Sequence, residues 1–325
     1  MSTIKVAING YGNLGRGVEK AIAHAKDMEL VAVFTRRDPE SVTTQGAPVV
    51  SLDDVDAWAD KVDVVVNCGG SATDLHVQTP IIAKKFNVVD SFDTHAKIPE
   101  HFEEVNKAAE GGSNLALISG GWDPGFFSLL RVYGAAFLPE SDVYTFWGPG
   151  LSQGHSDAVR RIEGVKKGVQ YTIPVEEARQ RILGGEHAEL TVREKHERVV
   201  YLVAEDGADK DKIRDEIVNM PNYFDEYNTT VNFISDAEFD AEHTGMPHGG
   251  DVIRLGKTSE GVQHVIHFNL KLDSNPEFTG SVLVACARAV VRMNAEGAQG
   301  AITLFDVPPA KLHPATPAEL RAHML

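Results

Sequence analysis

The stretch that most constrains this chain lies at its start. The strand-like run Ile4-Lys5-Val6-Ala7-Ile8-Asn9 leads into Gly10-Tyr11-Gly12-Asn13-Leu14-Gly15, and Leu14, Val18 and Ile22 then recur at helical spacing. A G-x-G-x-x-G turn with a strand before it and a helix after it is the dinucleotide fingerprint in its required context. Gly10 permits a tight turn, Gly12 lets backbone approach a pyrophosphate, and Gly15 lets the helix pack closely on the strand. The unpaired N–H groups and positive dipole of the helix start favour phosphate. The competing reading is a glycine turn in some other α/β protein, and the flanking strand and helix speak against it.

The next hundred residues repeat the pattern. Strand-like runs at 30–35, 62–67, 88–93 and 115–118 alternate with helical spacing at 14–26, 53–60, 73–85 and 99–110. Apolar strands separated by helices form a parallel sheet covered on both faces, so a Rossmann-type doubly wound α/β domain is expected over residues 1–121. Ligands bind beyond the carboxyl ends of such strands. Those ends carry Gly10 to Gly15, then Thr35, Arg36 and Arg37, then Cys68, Gly69, Gly70 and Ser71. Ser91, Phe92 and Asp93 follow, and last Trp122, Asp123, Pro124 and Gly125. All are candidate cofactor contacts. After Gly121 a helix at 126–137 precedes longer strands with hairpin-like spacing, at 142–147, 166–173, 196–204, 229–234, 251–256 and 262–272. These predict a second, α+β domain with a mixed sheet over 122–294, ending in a long buried helix at 280–294. The tail from about 295 to 325 is expected to return to the first domain.

The end of the second strand selects the nicotinamide cofactor. An NAD site places Asp or Glu there, on the ribose 2′-hydroxyl. Here Thr35, Arg36 and Arg37 occupy the place. Guanidinium groups pair with a 2′-phosphate, so NADP is the expected cofactor. The alternative leaves both arginines solvated and turns Asp38 back to the ribose.

Charge and cysteine content exclude whole classes of function. The 325 residues carry 31 basic and 47 acidic side chains, a formal net charge of −16. Nucleic acid and anionic membrane both call for a basic surface, so neither is expected as a partner. Cys68 and Cys286 stand far apart, which suggests neither a disulfide framework nor a zinc site. With no signal-peptide pattern and no apolar run of membrane-spanning length, a cytoplasmic location is expected.

Several residues stand out by setting as candidates for the substrate side. Asp93 ends a strand, and Asp123 lies in a Trp-Asp-Pro-Gly turn, where a helix N-cap is the simpler role. Two glycine-rich loops, 147–155 beginning at Trp147 and 242–250 containing His248, have the composition of binding loops. Ser152, His155 and Asp157 resemble a hydrolase triad in composition only, with no nucleophile elbow. Glu242, His243 and His248 match no standard ligand spacing, so no metal is expected. Cys68 fits packing beside a cofactor better than a nucleophilic role.

At these residues the chain resembles the meso-diaminopimelate dehydrogenases. The resemblance rests on GYGNLG at 10–15, Thr35-Arg36-Arg37, GWDPG at 121–125, WGPGLSQGHSDAVRRI at 147–162, EHTGMPHGG at 242–250 and LKLDSN at 270–275. It spans nearly the whole chain, is weakest over 38–50, and departs at Gly69, which is smaller than the family's usual residue. It implies NADP-dependent oxidative deamination of meso-2,6-diaminopimelate at its D-centre, to L-2-amino-6-oxopimelate (tetrahydrodipicolinate), ammonia and NADPH. The reverse reaction serves lysine and cell-wall precursor synthesis. It further implies substrate contacts at Asp93, Asp123, Trp147, Gln153, Gly154, Thr172, Arg198, His248 and Asn275, and a homodimer formed through the second domain. Arg198 would grip a carboxylate bidentately. Asp93 and Asp123 would pair with the reacting ammonium and are the candidate catalytic residues, with Asp123 taking or relaying the proton and water as the other possible base. Competing readings are a broader D-amino-acid dehydrogenase of the same family, an NADP-dependent imine or carbonyl reductase, and a non-catalytic NADP sensor.

Overall fold

The structure, a computed structural model, describes residues 3–325. It comprises two compact units: the chain up to Leu129 together with Pro276–Leu325, and Leu130–Asn275.

In the first unit the strands are β1 (Ile4–Asn9), β2 (Met28–Thr35), β3 (Val49–Ser51), β4 (Val64–Asn67), β5 (Asn87–Asp90) and β6 (Leu115–Leu117). With a late strand, Gly300–Ile302, they form a seven-stranded parallel sheet. The late strand leads its order, followed by β6, β5, β4, β1, β2 and β3. Alternation along each strand sends neighbouring side chains to opposite faces. Val6, Ile8, Val64 and Val66 enter one core, whereas Ala7, Val65 and Val88 enter the other. Helix α1 (Asn13–Ala23) covers the first face with Val18 and Ile22. Helices α2 (His76–Ala83) and α3 (Ile98–Gly111) cover the second with Ile82, Val105 and Ala109. This is the doubly wound sheet expected from the repeat.

Local departures have local causes. The run expected to extend to 93 leaves the ladder at Asp90, whose own carboxylate captures the N–H of Phe92. Ser91, Phe92 and Asp93 therefore form a loop. The helix expected at 53–60 is a 3-10 run, Leu52–Trp58, and edge strand β3 carried too few apolar residues to be recognised.

The domain limits differ from those expected at 121/122 and 294. The first unit extends into helix α4 (Phe126–Phe137), with the division after Leu129. The long helix Asn275–Asn294, assigned by sequence to the second domain, packs with the first. Its Leu283, Val284, Cys286, Ala287 and Val290 join the core of Val6 and Ile8. Periodicity exposed its apolar stripe but not which sheet the stripe meets.

The second unit holds two sheets. Its strands are β7 (Ser141–Trp147), β8 (Gly150–Leu151), β9 (Val165–Pro174), β10 (His196–Ala204), β11 (Asn228–Phe233), β12 (His248–Ser259) and β13 (Val262–Leu272). One sheet runs β11-β10-β9-β8, with only the β10–β11 pair parallel, and the other, β13-β12-β7, is antiparallel. Helix α5 (Gln153–Arg160) lays Val159 on the first sheet, beside Val165, Val200 and Leu202. Among the described residues no helix is long and apolar enough to cross a membrane.

One ion pair ties the long helix to the first unit. Buried Arg288 donates to both carboxylate oxygens of Asp27, at 2.6 and 2.8 Å, and to the Leu312 carbonyl at 2.8 Å. The Arg288 hydrogen bond holds the Asp27 carboxyl below the usual carboxylate range, although partial burial opposes it. A depressed folded pKa contributes stability that is present above the unfolded pKa, near 3.9, and lost as pH falls through the lower folded value. Arg288→Met leaves the partly exposed carboxylate only the more distant Arg292, at 3.9 Å, and is expected to cost about 2 kcal/mol at pH 7. The deficit should shrink below pH ~4, as thermal melts at pH 7 and 3 will show.

Candidate functional site

The fingerprint turn opens a cavity of about 650 Å³ in the first unit, lined among others by Asn9, Gly10, Gly12, Thr35, Arg37 and Gly70. Its three glycines do different things. Gly10 sits at φ +91, in left-handed space. A Cβ on Gly15 would lie 2.3 Å from the Gly10 carbonyl oxygen, so only glycine lets α1 start this close to β1. Beside Gly12 no atom lies within 4 Å of where a Cβ would stand, which leaves open space on the ligand side. Gly12 also caps α1 without a side chain, so no cap competes for the first amides of the helix.

The end of β2 brings a hydroxyl and two guanidinium groups to the turn. Thr35 is buried, and its hydroxyl accepts from the Arg37 N–H at 3.1 Å. The Arg37 guanidinium donates to the Tyr11 carbonyl at 2.8 Å, which holds it over the turn. Arg36 is more exposed and pairs with Asp74 at 2.6 Å. Asp74 also accepts from the Gly70 N–H at 3.1 Å and presses on Gly69, where a Cβ would come within 2.7 Å of the Asp74 Cβ. That contact explains why glycine stands at 69. Tyr11 donates to Glu19, and burial together with Glu19 raises its phenol to about 12. The Tyr11 side chain is buried in the core, and that of Leu14 packs against it. Asn9, Arg16, Asp74 and Gln78 also line the cavity and were not singled out by sequence. Asn9, a polar residue closing an apolar strand just before Gly10, was the one legible signal among them.

Cys68 also lines the cavity, but burial raises its thiol pKa and disfavours the thiolate. The first-unit candidates from Ser71 onward lie outside this lining. Asp93 is exposed, and its N–H donates to Ser71 Oγ at 2.9 Å. Ser71 and Phe92 line a smaller cavity of about 290 Å³. Asp123 is half-buried in a turn closed by a bridge between Trp122 and Gly125, with the Trp122 ring edge-on to Phe127 at 5.3 Å.

In the second unit the two glycine-rich loops come together. The Gly148 N–H donates to the Gly249 carbonyl at 2.8 Å, and the Leu151 N–H to the Pro247 carbonyl at 2.9 Å. A Cβ on Gly150 would lie 2.5 Å from the His248 Cα, so glycine is required there. Met246 accepts from Gln153 through its sulfur at 3.6 Å and from the Asn275 N–H through its carbonyl at 2.8 Å. Gly154 follows Gln153 in the exposed first turn of α5. His248 Nδ1 lies 2.8 Å from the Gly249 N–H and 3.1 Å from the Gly249 carbonyl, which fixes the ring against its own strand.

Beside these loops stands a buried cation. Gly150, Thr172 and Arg198 lie in register across β8, β9 and β10. Arg198 donates through Nη1 to Thr172 Oγ1, and the Tyr227 ring covers its guanidinium at 3.9 Å. Arg198 Nε has no partner, and among the described residues no carboxylate pairs with this arginine. Burial draws its pKa down, against the Tyr227 contact. A buried guanidinium without an anion is costly, and a carboxylate ligand would relieve that cost bidentately. Tyr227 was not foreseen, because nothing local to its sequence places it against Arg198.

The residues with triad-like or ligand-like composition have other partners. Ser152 Oγ lies 2.9 Å from His155 Nδ1, but Asp157 pairs with Arg160 instead. His243 stacks on Tyr201 at 4.3 Å and meets the Tyr171 hydroxyl at 3.1 Å.

Comparison with known proteins covers the whole chain. Residues 121–274 match the diaminopimelic acid dehydrogenase C-terminal domain, and residues 10–112 match the homoserine dehydrogenase NAD-binding domain. The meso-diaminopimelate D-dehydrogenase of Lysinibacillus sphaericus is 59% identical, with 100% of each chain aligned. A solved structure of the C. glutamicum DAP dehydrogenase in complex with DAP matches with a TM-score of 0.94 at 50% identity, covering 100% of both chains. An engineered D-amino acid dehydrogenase bound to NADP+ matches with a TM-score of 0.89 at 48% identity, again over 100% of both.

Two imidazoles near Arg198 give a pH test. The Trp147 N–H donates to His196 Nε2 at 2.8 Å and its ring stacks on the imidazole at 5.3 Å. Burial first, and then Arg198, lower His196 to about 3 and His155 to about 4. Each contributes stability that is present above the unfolded value near 6.5 and lost as pH falls toward the folded one. Both rings should stay neutral by NMR at pH 5. Tm should fall from pH 6.5 to 4.5, and less steeply in His196→Gln, which keeps an acceptor for the Trp147 N–H.

Proposed function

The chain belongs to the meso-diaminopimelate D-dehydrogenase family, and from that membership we propose that it oxidises meso-2,6-diaminopimelate at its D-configured carbon. With water and NADP the products are L-2-amino-6-oxopimelate, ammonia and NADPH, and the oxo acid cyclises to tetrahydrodipicolinate. The observation that carries the substrate assignment is Arg198, a buried guanidinium with Thr172 and Tyr227 around it and, among the described residues, no carboxylate against it. A dicarboxylate supplies the missing anion.

The first unit fits the dinucleotide. The open flank of Gly12 and the uncapped start of α1 suit a pyrophosphate. Thr35 and Arg37 suit a 2′-phosphate, and no acidic residue stands between them, which supports NADP over NAD. When bound, the nicotinamide takes the hydride from the substrate carbon. The chain's own residues do the rest. In this reading Asp123 takes or relays a proton from the reacting ammonium, freeing its lone pair, and Asp93 stabilises the positive charge that develops. Arg198 and Thr172 bind a carboxylate, while Gln153, Gly154, His248 and Asn275 hold the other polar groups. Trp147 supplies an apolar wall. Positioning selects the centre, because only a hydrogen on the facing carbon transfers. The reading also includes a cytoplasmic homodimer. Val265 and Phe268 on β13 are partly exposed apolar residues that suit an interface, and light scattering of the purified protein tests it.

NADPH formation with meso-, LL- and DD-diaminopimelate and with simple D-amino acids tests the reaction. Turnover confined to the meso isomer is expected, whereas equal turnover of simple D-amino acids would replace this reading with a broader one. Arg198→Leu should raise KM for diaminopimelate about 100-fold and leave KM for NADP unchanged, matching the loss of a charge-assisted pair of roughly 2–3 kcal/mol. Arg37→Ala should raise KM for NADP at least tenfold with little effect on NAD. Unchanged NADP use in Arg37→Ala would count against the 2′-phosphate assignment.

A further inference from the structure

We infer that Asp90 is a positioning residue for this reaction: one buried carboxylate sets both loops that carry Asp93 and Asp123. The inference rests on the reading that gives those two aspartates the reacting amine.

Asp90 closes β5 and is fully buried. Its Oδ1 accepts from the Phe92 N–H at 3.1 Å and from the Ser119 N–H at 2.9 Å. Its Oδ2 accepts from the Thr79 hydroxyl at 2.8 Å and faces His101 Nε2 at 2.7 Å. Its backbone carbonyl accepts from the Gly120 N–H at 2.8 Å. Four partners fill the four acceptor positions of a carboxylate, so Asp90 has no capacity left to take a substrate proton. What remains is geometry. Phe92 immediately precedes Asp93, and Ser119 and Gly120 lead into the Trp122–Gly125 turn that holds Asp123.

Backbone strain points the same way. Ser119 has φ +54, a left-handed conformation costing a non-glycine residue on the order of 1 kcal/mol. Such a residue persists where its surroundings over-determine it, and here Asp90 takes the N–H of Ser119 and of the residue after it. On the other loop, the buried His101 ring stacks on Phe92 at 4.1 Å while its Nε2 meets Asp90. His101 thus clamps from the side-chain face the loop that Asp90 holds by its backbone.

The pair is itself anchored to the cofactor cavity. Thr79 Oγ1 accepts from Asn67 at 3.1 Å, Asn67 accepts from Asn9 at 3.1 Å, and Asn9 donates to Gln78 at 2.8 Å. Asn9 and Gln78 line the dinucleotide cavity. This buried chain of hydrogen bonds references both aspartate loops to the fingerprint strand.

The test uses full-length Asp90→Ala and Asp90→Asn, compared by meso-diaminopimelate oxidation, NADPH titration by fluorescence, and amide hydrogen exchange. Asp90→Ala should lower kcat at least about 100-fold, the effect of roughly 1 Å of misplacement, with NADPH affinity within about threefold. Exchange should quicken at least tenfold in segments 91–94 and 119–125 and stay unchanged in β1 and β2. Asp90→Asn keeps an oxygen for both amides and should return kcat to within about tenfold of wild type. The inference is overturned if kcat in Asp90→Ala is unchanged, or if kcat, affinity and Tm fall together and Asn does no better than Ala. Should Asp90→Ala not fold, His101→Leu and His101→Gln decide: Leu should lower kcat about tenfold and Gln, which keeps a donor for Asp90, restore it, while equal kcat in all three overturns the inference. Asp123→Asn separates the premise from the inference. If it retains wild-type kcat, Asp123 loses its proton-transfer role and the premise fails; if wild type does not oxidise diaminopimelate, the functional reading fails. Exchange then decides the loop claim alone, and unchanged rates at both segments refute it.

Discussion

Everything in the first unit depends on a parallel sheet that is dry on both sides. Val64, Val65 and Val66 are each fully buried, and consecutive residues enter different cores. No sheet face is left for polar chemistry. Polar groups are displaced to the strand ends, where backbone leaves the ladder and its amides become available. Asn9, Thr35, Asn67 and Asp90 are all strand-terminal and all buried, and three of them are joined through Thr79. Dinucleotide cavity and aspartate loops share one end of the sheet for that reason.

The second unit solves a different problem with the same economy. A sheet interior does not tolerate an isolated charge, yet Arg198 stands in the middle strands of a four-stranded sheet. Tyr227 shields one face of the guanidinium and Thr172 takes one of its donors. Its Nε is left without a partner. Burial and the positive field of Arg198 also keep the His155 and His196 rings uncharged.

Much of this was legible in sequence because it is local. The fingerprint, the Thr35-Arg36-Arg37 run and the two glycine-rich loops are contiguous stretches whose residue types carry their own geometric meaning. What sequence misassigned is non-local. The helix Asn275–Asn294 shows an apolar stripe, and a stripe does not say which sheet it covers. Strand β5 read as extending to Asp93, because a Val-Val-Asp-Ser-Phe-Asp run has strand-like alternation and the capture of the Phe92 amide by Asp90 is invisible in it.

The sequence by itself determined the alternation of strand and helix, the glycine-rich turn and the Thr35-Arg36-Arg37 run that closes the second strand. Backbone periodicity and nearest-neighbour sterics are enough for these. Only the tertiary structure decided that Gly150 must make room for His248, that Tyr227 covers Arg198, and that one buried carboxylate holds loops nearly thirty residues apart. Those relations follow from which elements fold against one another. Their energy comes from desolvation and hydrogen-bond saturation in a shared interior, which no contiguous stretch of sequence contains.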